Sequence, residues 1–278
     1  VATTWVRATR RGCRTADLLR TRSMHGGKAS VEAKTEVVVA LDTSSAQEAL
    51  SLVRRLMPDI SMFKVGMELF YSCGPTIVDD VTALGAKVFL DLKLHDIPAT
   101  VGRAMAALVR PGVHIVDIHA AGGSEMMKQG LLAARKAATE RDLRPPKVVG
   151  VTVLTSIDQR AFAEEVAPGC VHGLAEHVVR MALLAKESGL DGVVTSALEA
   201  PAVREACGRG FVTVVPGVRP AWAQDAHDQR RCVTPTQAVL AGADFIVVGR
   251  PITHATRPRD AAKKLLDEVR EASQDGRQ

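Results

Sequence analysis

Val88-Phe89-Leu90-Asp91-Leu92-Lys93-Leu94-His95-Asp96-Ile97-Pro98-Ala99-Thr100 starts as a buried strand and ends in a cluster of charge. Side chains on a strand alternate between faces. Asp91 and Lys93 therefore point one way, and Leu90, Leu92 and Leu94 the other. Asp96 follows on the turn. Ile97-Pro98 then opens a helix, with proline at an early position where its missing N–H is harmless. The stretch is thus strand, charged turn, helix. Its charges read either as a surface ion pair or as chemistry, and the rest of the chain decides between the two.

The same unit recurs on both sides. Upstream, Val37-Val38-Val39-Ala40-Leu41 is a continuous apolar run of the kind found in strands buried on both faces, and it ends in Asp42. Ser45 and Glu48 read as a capping box, and Ala46, Ala49, Leu50, Val53, Leu56 and Met57 follow at helical spacing. A short strand, 62–66, carries one charge, Lys64; helix 75–84 stops at Gly85. The opening strand, 87–91, is third. Downstream the pattern predicts helix 98–109, strand 113–118, helix 124–139, strand 147–154, an irregular stretch 155–170 and helix 171–188. Strand 190–195, helix 199–207, strand 211–215, a polar loop 216–233, helix 235–241, strand 244–249 and helix 259–272 complete it.

Strict strand–helix alternation implies parallel strands, because each helix is a crossover. Eight units of this length fit a single-domain (β/α)8 TIM barrel over 34–272 better than an open doubly wound sheet. A doubly wound sheet would carry a glycine-rich turn after its first strand; here that strand ends Asp42-Thr43-Ser44-Ser45. Residues 1–33 form a basic N-terminal extension. It reads as a disordered arm or a non-native start with Met24 as the natural one, as a targeting segment, or as a docking arm. Residues 273–278 read as a frayed tail.

Composition excludes several classes. The chain of 278 residues has no apolar run approaching the roughly 20 residues that span a bilayer. Five widely spaced cysteines without a C-x-x-C argue for a reducing compartment and against a disulfide framework or structural zinc. The net charge of +5 misleads: residues 1–34 hold eight Lys/Arg and two acids, so the remainder carries −1. With aromatics at 3% as well, nucleic acid is not an expected partner.

In a (β/α)8 barrel the active site lies at the C-terminal ends of the strands. The residues due there are Asp42, Lys64, Asp91, Lys93, Asp117, His119, Thr155, Ser156, Thr195, Ser196, Pro216-Gly217-Val218-Arg219 and Gly249-Arg250. Lys64 stands among apolar neighbours and needs a carboxylate, which Asp91 on the adjacent strand can supply. A Lys–Asp–Lys–Asp array follows from strand parity. The loops after strands seven and eight often bind phosphate in such barrels, and Gly217, Arg219, Gly249 and Arg250 suit that task. His119 either lines the pocket or makes a structural hydrogen bond, and His114 packs against a helix. Carboxylates flanked by lysines make a poor magnesium site, and no zinc motif is present.

The ordered set Ala40-Leu41-Asp42, Phe63-Lys64-Val65-Gly66, Asp91 to Pro98, Val153 to Ser156, Pro216 to Pro220, Asp228-Gln229-Arg230-Arg231 and Val248 to Thr253 resembles the orotidine 5′-phosphate decarboxylase family, bacterial type, from about Val37 to Leu266. The resemblance implies a cofactor-independent cytoplasmic enzyme of pyrimidine biosynthesis. It converts orotidine 5′-monophosphate to uridine 5′-monophosphate and carbon dioxide. By the same resemblance, Asp42 and Lys64 contact the ribose hydroxyls, Asp91 lies against the substrate carboxylate, and Lys93 protonates C6. Asp96, Ile97 and Thr100 reach into the site of the partner subunit, which implies a homodimer with shared sites. Thr155 reads the pyrimidine; Arg219, Gln229, Gly249 and Arg250 hold the phosphate or close over it. Ala99 stands where many members carry Asn. The alternatives are a metal-dependent phosphosugar barrel, such as a hexulose phosphate synthase or keto-acid phosphate decarboxylase, and an inactive nucleotide-binding protein. Lys64 speaks against the first, and the intact array against the second.

Overall fold

The computed structural model describes residues 35–223 and 232–275. The basic extension 1–33 and the positions of Asp228, Gln229, Arg230 and Arg231 lie outside the described residues. Eight strands, β1 (Glu36–Ala40), β2 (Met62–Gly66), β3 (Lys87–Leu94), β4 (Val113–His119), β5 (Lys147–Val151), β6 (Gly192–Val194), β7 (Val212–Val215) and β8 (Phe245–Val248), pair in sequence order. All pairs are parallel, and β8 closes on β1 with Val38 opposite Val247. This is the (β/α)8 barrel.

The helices between the strands are α1 (Ala46–Leu56), α2 (Met67–Cys73), α3 (Thr76–Ala83), α4 (Pro98–Leu108), α5 (Gly123–Glu140), α6 (Gln159–Ala161), α7 (Leu174–Glu187), α8 (Ala200–Cys207), α9 (Pro235–Leu240), α10 (Arg250–Thr253) and α11 (Pro258–Asp275). They cover the barrel and bury a large aliphatic shell that includes Val37, Val39, Leu52, Val53, Leu56 and Val65. The intervening strand positions fill the barrel interior: Val38, Ala40, Met62, Phe89, Ile115, Val149, Val214 and Val247. Two cores separated by one strand thickness are what period-two apolar runs produce when both faces are covered.

Local departures from expectation have physical causes. The capping box at α1 is half made: Ser45 Oγ accepts from the Glu48 N–H at 3.3 Å, but the Glu48 carboxylate takes the Thr43 hydroxyl at 2.6 Å. A complete capping box forms instead between Thr234 and Gln237 on α9. β5 ends at Val151 rather than 154, because both the Thr152 N–H and its hydroxyl turn to the Val194 carbonyl. α2 and α10 are too short to show a helical period and were not expected. The irregular stretch 155–170 holds α6 and a single π-helical turn, Phe162–Val166. α11 runs to Asp275, past the expected end at 272.

β3 departs most. It runs to Leu94 rather than 91, and its register against β4 shifts between Leu90 and Leu94. Lys93 takes a left-handed backbone, φ 49°. Asp91 and Lys93 nonetheless share a face, as alternation predicts, with Leu90 and Leu92 buried on the other. A left-handed non-glycine residue costs of order 1–3 kcal/mol and persists only where its surroundings impose it.

Candidate active site

Each interior column gains a charge one step up on half of the barrel. Ala40 leads to Asp42, Met62 to Lys64, Phe89 to Asp91 and Ile115 to Asp117. On the other half the columns stay apolar, with Val151, Val153, Val194, Val214 and Val247. Above them the chain turns at Pro216–Arg219 and Gly249–Pro251. Together these residues, with Thr155 and Ser156, line a cavity of about 370 Å³ at the C-terminal mouth of the barrel.

The charges in this cavity form one chain of contacts. Lys64 Nζ lies 3.0 Å from Asp42 Oδ1 and 3.3 Å from Asp91 Oδ2. The other Asp91 oxygen accepts from Lys93 Nζ. Burial opposes the charge on Lys64, yet Asp91 and Asp42 outweigh it and hold the ammonium pKa above its ordinary value. Burial likewise opposes ionisation of Asp91. Lys64, a hydrogen bond with Asp117 and Lys93 together overcome it and hold this carboxyl far below the usual range. The sequence expectation that Lys64 needs Asp91 is met, with Asp42 as second partner.

Gly66 explains how Lys64 fits. A Cβ at this position would lie 2.8 Å from Lys64 Nζ, so the ammonium passes over bare backbone. Gly217 has φ 75° and turns the chain after β7. The loop that follows is pinned at its base: Val218 bridges to Val233, and the Arg219 N–H donates to the Val233 carbonyl at 2.8 Å. Trp222, near its start, lies under Lys264 of α11, 4.8 Å from the ammonium to the ring centre.

Of the expected site residues, Asp42, Lys64, Asp91, Lys93, Thr155, Arg219, Gly249 and Arg250 line the cavity. Asp96, Ile97 and Thr100 do not. They sit where β3 passes into α4, with Ile97 67% exposed and Asp96 Oδ1 accepting from the Ile97 N–H at 2.6 Å. Gln229 lies outside the described residues. His119 does not line the cavity; its ring stacks on His95 at 5.1 Å, and burial, then His95 and Lys93, lower its pKa. His114 Nδ1 meets the Gly112 carbonyl at 2.9 Å. Of the two hydroxyls after β6, Thr195 lines the cavity and Ser196 Oγ accepts from the Leu198 N–H at 3.0 Å. Among the described residues no three His, Cys, Asp or Glu side chains gather so that they could hold a metal ion. Nor is any helix among them long and apolar enough to cross a membrane.

The profile of the Orotidine 5'-phosphate decarboxylase / HUMPS family matches residues 35–265. The chain belongs to this family. It is 47% identical over 243 residues to the orotidine 5′-phosphate decarboxylase of Syntrophomonas wolfei, which covers 87% of this chain and 100% of that one. It is 48% identical over 239 residues to the same-named enzyme of Moorella thermoacetica, covering 86% and 94%. Among solved structures, the orotidine 5′-phosphate decarboxylase of Lactobacillus acidophilus superposes with TM-score 0.73 at 38% identity, covering 84% of this chain and 99% of that one.

Within this orotidine 5′-phosphate decarboxylase / HUMPS chain, one buried acidic residue was placed at the rim by its sequence but given no task. Asp117 is 0% exposed, and its Oδ1 accepts from the Lys93 N–H at 2.8 Å. Its column position, two residues after Ile115, was the available signal. The bulge that brings it under Lys93 left none.

Proposed function

We propose that this chain decarboxylates orotidine 5′-monophosphate to uridine 5′-monophosphate and carbon dioxide in pyrimidine biosynthesis, without a cofactor, in the cytoplasm. The observation that carries this reading is the contact of Lys93 with Asp91 on the floor of a cavity whose opposite rim carries Arg219 and Arg250. The family membership and the names of the relatives support the same substrate.

The bond from C6 to the carboxylate breaks, and its electron pair stays on the ring carbon. The carbon takes a proton from Lys93 Nζ, and solvent reprotonates the lysine. No imine accepts the charge as it develops, so fixed electrostatics must stabilise it. A preorganised ammonium does this and donates the proton. Asp91 places a negative charge against the substrate carboxylate and keeps Lys93 in position. Asp42 and Lys64 hold the ribose hydroxyls, and Thr155 reads the pyrimidine edge.

Arg219, Gln229, Gly249 and Arg250 grip the phosphate. Binding energy far from the reacting carbon then serves orientation and closure of the loop after β7. Asp96, Ile97 and Thr100 of the partner subunit complete the site in a homodimer; a rim isoleucine 67% exposed in the single chain fits such a contact.

The test mixes metal-stripped protein with orotidine 5′-monophosphate and follows the loss of ultraviolet absorbance, with Lys93→Ala beside it. Loss unaffected by EDTA and abolished in the variant is the expected outcome. Activity that needs a divalent metal, or that survives in Lys93→Ala, would sink the reading.

A further inference from the structure

Lys93 is the residue on which the proposed reaction turns, and it sits in a backbone conformation that its own side chain disfavours. Something must hold it there. The β3–β4 ladder cannot, because the register shifts between Leu90 and Leu94 and leaves the Lys93 N–H without a strand carbonyl. The donor goes instead to Asp117 Oδ1, at 2.8 Å, a side chain standing in for backbone.

The second oxygen of Asp117 defines the chemistry. Oδ2 is sealed from solvent and takes no hydrogen bond from a donor among the described residues; Lys93 Nζ is 3.9 Å away. The neighbouring acid is Asp91, whose Oδ1 holds the same Lys93 ammonium, and the opposed acidities of the two groups point to a hydrogen bond between their carboxyls. Two carboxyl oxygens share a contact only when one carries a proton. Asp91 is paired with both Lys64 and Lys93 and keeps its charge. The proton therefore rests on Asp117.

We propose that Asp117 is a positioning residue for Lys93, working as a neutral carboxylic acid that anchors the left-handed Lys93 backbone through one oxygen and donates a hydrogen bond to Asp91 through the other. This rests on the decarboxylase reading of the cavity. Burial, followed by the charge of Asp91, pushes the acid well above the ordinary carboxylate range, in the direction the geometry demands. The charge balance gives the arrangement a purpose. Asp42, Lys64, Asp91 and Lys93 sum to zero. An ionised Asp117 would add a negative charge close to where the ring carbon acquires one, and would weaken the stabilisation Lys93 supplies.

The amide of asparagine reproduces both hydrogen bonds, with Oδ1 accepting from Lys93 and Nδ2 donating to Asp91. Asp117→Asn therefore keeps most of the wild-type kcat. Asp117→Ala releases the Lys93 turn and loses about 100-fold in kcat, as a misplacement on the ångström scale does. KM stays near the wild-type value, since the phosphate and ribose groups are untouched. A purely structural role would not produce this kcat-only loss with rescue by the amide. Infrared difference spectra of wild type minus Asp117→Asn read the same point without turnover, as the carbonyl stretch of a protonated acid present only in wild type. That band answers the question even where Asp117→Ala fails to fold. Absence of the band overturns the proposal. So does an Asn variant as impaired as a folded Ala variant, or a fully active Ala variant. A wild-type protein that shows the band yet leaves orotidine 5′-monophosphate intact would refute the activity reading and not the protonated anchor.

Discussion

Asp91 and Asp117 flank the Lys93 ammonium, and although burial raises both carboxyls, their charged neighbours leave Asp91 below and Asp117 above the ordinary range. The Asp91 carboxyl is held below its unfolded value, so its ion pairs contribute stability above about pH 4 that is lost as pH falls toward the folded pKa. Asp117 is held above its unfolded value, so the folded state binds a proton that the unfolded state releases. Unfolding then gains favour as pH rises from about 4 to the folded pKa, by up to about 1.4 kcal/mol per pH unit. Among the described residues, the charged groups that act on this acid are Asp91 and Lys93, both on β3. Asp117→Asn removes the titration. We expect the difference in unfolding free energy between this variant and wild type to be constant below about pH 4 and to grow in favour of the variant above it. Urea denaturation at pH 5 and pH 8 measures it; parallel curves would mean that Asp117 ionises within the fold. At this scale strand parity made Asp42, Lys64 and Asp91 legible. The left-handed Lys93 was not, because nothing in the residue type announces a positive φ. The task of Asp117 was hidden for the same reason, since it exists only by virtue of that turn.

Between elements, the pairing of β2 with β3 sets Gly66 opposite Asp91 beneath the Lys64 ammonium. Gly66 has φ −90° and ψ −179°, extended backbone open to any residue. Alanine there adds no backbone strain, and losing glycine freedom in the unfolded chain stabilises a compatible site by about 0.4–1 kcal/mol. The added methyl would still stand 2.8 Å from Lys64 Nζ, and the flexible lysine end must yield. Gly66→Ala should therefore leave thermal stability unchanged or slightly raised while kcat/KM falls by about 10- to 100-fold. A variant with full activity would show that the exact placement of Lys64 is immaterial. Elements longer than two turns were legible because their apolar period had room to show. α2 and α10 were not, and the early end of β5 depends on a hydroxyl, Thr152, that a propensity reading treats as ordinary strand.

For the molecule as a whole, eight repeats of strand and helix were enough to specify a closed barrel, and the barrel rule then located the cavity. What one chain could not reveal is what meets the rim at Asp96, Ile97 and Thr100. If the partner subunit supplies them, Lys93→Ala and Asp96→Ala homodimers each lack one half of both sites. Co-expressed, they form heterodimers with one complete site, and about a quarter of wild-type activity should return for random two-fold pairing. No recovery from verified heterodimers would mean that each chain carries a self-sufficient site. The interior is also divided: charge stands on β1 to β4, while the glycine and arginine turns follow β7 and β8. If the turns after β7 and β8 grip a phosphate as proposed, mutational libraries confined to the rim of β1 to β4 would leave that handle intact. Every member of such a library would then begin with affinity already in place, so a new reaction could be selected without first rebuilding a grip on its substrate.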